Sequence, residues 1–131
     1  MHEIRKRSKV KDVFHIIDDD GRELTVESIL EPGVALPSWN RAKNSIIRLE
    51  TAGSKDAEAL GRAIVDTFAV FFGEEGTAKI LEFYEDDYMD MMRDVFPYVQ
   101  TFLLPKLEEE SAKRRENMID IYRNSYRRRE L

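Results

Sequence analysis

The chain is predicted to be α+β and mostly α: an N-terminal β-hairpin followed by a small helical bundle with a long C-terminal helix. Three observations predict this. Two β-prone runs flank an Asp-Gly pair, apolar residues recur at four-residue steps through the middle, and Glu108 to Asn117 carries one apolar residue, Ala112. A helix that is polar all round cannot lie on a core, so that last stretch should project into solvent or touch a partner. Folding back onto its own domain is the alternative.

Val10–Ile17 and Glu23–Ile29 enclose Asp18-Asp19-Asp20-Gly21. A type I′ turn needs positive φ at both central residues, which Asp-Gly supplies, so the runs read as a hairpin. A calcium loop with Gly at position 6 would put Ile16 at position 1, where a carboxylate is required. Pro32, Gly33 and Pro37 then predict a loop. Ser38 is placed to cap a short helix from Trp39 to about Leu49, ending near Gly53. Ser54 precedes a clearer helix, about Lys55 to Phe72, whose Leu60, Ile64, Phe68 and Phe72 step by four. Gly73 should stop it. Thr77 is placed to cap a short helix carrying Ile80, Leu81, Phe83 and Tyr84. Asp86 and Asp87 should open the final segment, because acids there complement the helix dipole. Pro97 and Pro105 inside its apolar pattern predict a kink or break near each. Apolar residues return at Met118, Ile119, Ile121, Tyr122 and Tyr126, a sticky tip after a solvated stalk.

The organisation expected is a flexible basic tail over 1–9, a hairpin plus helical domain over 10–107, and a charged helical extension over 108–131. At 131 residues the chain fits one domain. Its 36% charged content exceeds the usual ~25% and fits long solvated helix faces. With no cysteine, disulfides and thiolate metal sites are excluded, and a reducing compartment fits. No apolar run approaches the ~20 residues of a membrane span, and no apolar h-region follows the basic start. A cytoplasmic protein is expected.

The net charge of −5 is unevenly spread: +4 over 1–11, +4 over 113–131 and therefore −13 between them. An acidic body with basic ends can pair with copies of itself, head to tail, or with an oppositely charged partner. Asp86, Asp90 and Asp94 recur every four residues and are placed to line one helix face, which would hold a divalent cation, pair with Arg123, Arg127 and Arg128 of a neighbour, or simply face solvent. The two histidines, His2 in the tail and His15 in a strand, form no metal-binding or nucleophile-activating pattern. Gly73-Glu74-Glu75-Gly76 would repel phosphate. No catalytic residue, metal or cofactor is expected. Arg114, Arg115, Arg123 and Arg127–Arg129 interleave with Tyr122 and Tyr126 as in single-strand binders, but the acidic body repels a polyanion.

Val70-Phe71-Phe72-Gly73-Glu74-Glu75-Gly76-Thr77-Ala78-Lys79-Ile80, between an N-terminal hairpin and a long final helix, resembles the tail assembly chaperones of siphophages and prophages, which are encoded upstream of the tape-measure protein. The likeness centres on residues 57–107. It implies a non-enzymatic chaperone that binds tape-measure and tail tube proteins during tail morphogenesis in a bacterial host cell, and that self-associates. A frameshifted longer form occurs in many such chaperones. A small nucleic-acid-binding regulator and a head-tail joining component are the alternatives. Chaperoning a helical rod calls for shallow apolar surfaces and adaptable methionines. Phe83, Tyr84, Met89 and Met92, with Met118, Ile121 and Tyr122 at the tip, are the expected partner-binding residues. Met89, Met91 and Met92 cannot all face one way on a helix, so at least one should lie at the surface.

Overall fold

The computed structural model describes residues 1–4, 9–53 and 55–130, with side chains through Ser125. Residues 5–8 of the expected basic tail, Ser54 and Leu131 fall outside that set. Strands β1 (Val10–Ile17) and β2 (Glu23–Leu30) pair antiparallel with Phe14 opposite Val26, and are followed by α1 (Pro32–Thr51), α2 (Ala57–Phe83), α3 (Tyr88–Tyr98), a π turn (Val99–Leu103) and α4 (Leu104–Glu130). The predicted fold class is therefore the observed one.

The hairpin turn differs from the predicted type I′. Gly21 N–H donates to the Asp18 carbonyl at 3.1 Å and Asp18 N–H to the Arg22 carbonyl at 3.0 Å, and Gly21 alone takes positive φ, at 80°. This is a three-residue loop, a type I turn closed by a left-handed glycine. Asp18 drives it: its carboxylate accepts from the Asp20 and Arg22 amides at 3.0 and 2.8 Å and pairs with the Arg22 guanidinium at 2.7 Å. That pairing holds the Asp18 carboxyl below its ordinary value.

Alternation along both strands turns Phe14, Leu24, Val26 and Leu30 inward. Phe14 packs on Phe72 and Tyr98 at 5.1 and 5.0 Å between ring centres, and the Tyr98 hydroxyl donates to Asp12.

Helix α1 begins seven residues before the predicted start. Pro32 stands at its first turn, where an amide has no helical partner to lose, and its fixed φ suits the position. Pro37 forfeits one bond, to the carbonyl of exposed Gly33. Ser38 consequently sits inside the helix and caps nothing; its hydroxyl accepts from Arg41 at 3.0 Å. Trp39 packs between Phe71 and Phe96, 5.7 Å from each.

Asp56 caps α2, accepting from the Glu58 and Ala59 amides at 3.0 and 3.2 Å. At Gly73 the backbone leaves helical geometry (φ 72°, ψ 173°), as its glycine predicted, but helix resumes at once. Thr77 is thus buried inside the second half rather than capping it. The break frees the Phe71 carbonyl, and the buried Ser28 hydroxyl of β2 donates to it. Phe68, Phe71, Phe72 and Ile80 fill the core from this helix.

From Tyr88 to Glu130 the chain is one continuous helical path of 43 residues. Neither proline breaks it. Pro105 cannot donate, and the turn ahead of it widens so that the Leu104 amide reaches back five residues to the Val99 carbonyl. Met91, Val95, Val99, Leu103 and Leu107, four residues apart, form its buried stripe. Among the described residues no helix is long and apolar enough to cross a membrane.

Candidate functional site

The long helix has two unlike ends. At its start, α2 closes when the Asp86 amide reaches the Leu81 carbonyl at 2.9 Å, with Glu85 and Asp86 both at positive φ (53° and 61°). Such closures usually employ glycine, so nothing in the local sequence announced this one. Asp87 is the N-cap of α3, accepting from the Asp90 amide at 3.1 Å. Asp86 therefore lies in the turn, and the predicted row of Asp86, Asp90 and Asp94 on one helix face does not form. Asp90 and Asp94 flank Arg93 at 3.0 and 3.2 Å. The Tyr84 hydroxyl donates to Asp94 at 3.2 Å; burial, then the Asp94 charge, pushes its pKa up to about 12.

The hairpin turn reaches this corner. The Arg22 guanidinium lies 5.3 Å from the centre of the Phe83 ring. Asp18, Glu85 and Asp20 act on Arg22, and Asp94, Asp90 and Asp87 act on Arg93, so the hairpin turn and the α2–α3 turn meet in one acidic pole. Among the described residues no three His, Cys, Asp or Glu side chains are disposed to hold a metal ion. Beside the pole, β1 and α3 enclose an open hollow of about 640 Å³ lined by Phe14, Ile16, Ile17, Tyr84, Asp94, Val95 and Tyr98, among others.

The four expected surface residues here separate. Met89 is 66% exposed, whereas Phe83, Tyr84 and Met92 are half-buried against neighbours; Met91 is wholly buried. Tyr88 rests on Gly61, where a Cβ would stand 3.2 Å from its ring, a close approach the periodicity did not disclose.

At the other end, Leu104 and Leu107 still pack on the body, and among the described residues Arg114 makes the last anchoring contact, a part-buried ion pair with Glu31 at the head of α1. From Arg115 to Ser125 every side chain is exposed. Stalk pairs such as Lys113 with Glu109, 3.2 Å apart, support the helix without a core. Met118, Ile121 and Tyr122 are 63%, 66% and 79% exposed, and Ile119 adds to the patch. Spacings of three and four put Met118, Ile121 and Tyr122 on one face, in line with Leu107, Ser111 and Arg114. Arg123 is exposed beside them; the side chains of Arg127 and Arg128 lie outside the described set. Comparison of the chain with protein-family models, with curated proteins and with solved structures yields no match.

Proposed function

We propose that this chain is a non-enzymatic protein-binding factor of the tail assembly chaperone kind, working in the cytoplasm of a bacterial host, and that the tip of α4 is its grip. One observation carries the reading. Met118, Ile121 and Tyr122 share one face of a helix that has already left its own body, at 63%, 66% and 79% exposure. Each would contribute roughly 1.5–3 kcal/mol if fully covered. After the cost of association, three such residues suit a modest contact repeated many times along a long partner, rather than one tight pair. The resemblance carried by Val70–Ile80 supplies the partner class: a long helical tape-measure protein, with tail tube protein recruited beside it.

The test is co-expression with a tape-measure protein, the long helical partner that this reading names. The full chain should keep that protein in the soluble fraction, and the M118S/I121S/Y122S variant should not. Equal solubility with both rejects the reading.

A further inference from the structure

We propose that the free edge of β1 takes up an extended segment of another protein as a third, antiparallel strand. The site is separate from the arm, and its occupant is a strand rather than a helix.

The turn sets which backbone groups are free. Asp18 and Arg22 form a hydrogen-bonded pair at the base of the loop, and bonded pairs alternate along an antiparallel ladder. Ile16 stands opposite Leu24 and Phe14 opposite Val26, so the amides and carbonyls of Lys11, Val13, His15 and Ile17 point away from β2. The sheet has two strands, and among the described residues these groups have no other backbone partner. Open edges are normally guarded by charge, proline or a bulge. The free edge of β2 carries Glu23 and Glu27 before Ile29. That of β1 carries Lys11 alone, then Val13 and Ile17 at 57% and 64% exposure.

The space beside this edge fits a strand. Phe14 and Ile16 point inward and His15 and Ile17 outward, so all four can line one hollow only along the edge of the strand. They do line one, the hollow of about 640 Å³ between β1 and α3. At strand spacings of about 3.4 Å along, 4.8 Å across and 10 Å between layers, an extended residue fills roughly 160 Å³, so the hollow takes about four. Val95 and Tyr98 supply an apolar wall. Farther along the same edge lies a second hollow of about 400 Å³, lined by Lys9, Lys11 and Lys106 with Glu109 and Glu110. Charge therefore changes along the groove, from the acidic pole beside Ile17 to these lysines beside Val10. An antiparallel strand with a basic N-terminal end, apolar residues at alternate positions and an acidic C-terminal end meets unlike charge at both.

The probe is a synthetic octapeptide, blocked at both ends, with Lys first, Glu last and Val alternating with Thr between them. Titrated into the full chain, it should slow hydrogen exchange at the Val13, His15 and Ile17 amides and leave Phe14 and Ile16 little changed. N-methylating every second residue of the peptide gives two versions. One should bind as the parent does, and the other should bind about tenfold more weakly or worse, because two or more main-chain bonds are lost. His15→Pro removes an edge donor that the hairpin itself does not use and should weaken binding comparably, with a thermal melt reporting the fold. Absence of binding, binding without slowed edge amides, or equal affinity for the two methylated versions overturns the proposal. The M118S/I121S/Y122S chain should bind the peptide as wild type does; loss of binding there would move the site to the arm and overturn it too. A chain that ignores the peptide yet solubilises the tape-measure protein overturns this inference alone.

Discussion

The body half of the long helix, Tyr88 to Leu107, and its arm half, Glu108 to Glu130, share one backbone path and one apolar spacing, yet opposite fates. Met91, Val95, Val99, Leu103 and Leu107 are buried; Met118, Ile121 and Tyr122 are not. The difference is the supply of neighbours. The first stripe meets aromatic-rich α2 and the hairpin, while the second begins where α1 runs out, past Arg114. Apolar periodicity states which face wants cover, and only the rest of the fold states whether the chain itself provides it.

Paired substitutions can break or sharpen that contrast. Leu107→Ala should cost about 2–5 kcal/mol in denaturant unfolding, since it opens a cavity in a closed core; a cost near zero would deny the boundary drawn here. Arg114→Ala, at the junction, should cost on the order of 1 kcal/mol and speed hydrogen exchange in the amides beyond it more than in those before it. Alkaline pH probes the pole. Tyr84 has a folded pKa of about 12 against an ordinary 10, so its share of stability is intact below pH 10 and is lost as pH rises through 12. Tyr84→Phe should flatten that alkaline slope in thermal melts across pH 9–12. The smallest effect belongs to Ile121→Ala, which should leave unfolding of the single chain within ~0.5 kcal/mol of wild type. It should weaken solubilisation of the helical partner nonetheless, and an effect on unfolding as large as that of Leu107→Ala would mean the arm packs on its own body.

Much of this was legible from residue order. Alternation in Val10–Ile17, steps of four from Leu60 to Phe72, and the apolar return at Met118 each report a local requirement that the structure honours. The exposure of Met89 and burial of Met91 follow from helical spacing alone. What stayed hidden depended on contacts between distant segments or on tolerated exceptions. Pro32 and Pro37 read as a loop, because a proline is accepted in a helix only where the amide it lacks was dispensable. The left-handed Glu85 and Asp86 have no glycine to mark them, so Asp86 was misplaced onto the helix face. The pole itself needed Arg22 to meet Phe83, a meeting between segments some sixty residues apart that no local spacing encodes.

The widened turn at Val99–Leu103 sets a compass bearing. Residues four apart overshoot a full revolution of an α-helix by roughly 40°, so a stripe kept strictly at that interval from Met91 to Leu107 would spiral off the body. A slower revolution midway returns it to the core, and with it fixes the azimuth at which the tip points some thirty ångströms further on. Deleting one residue between Val99 and Leu103 would swing Met118 and Tyr122 around the rod by roughly 100° while leaving every tip side chain in place.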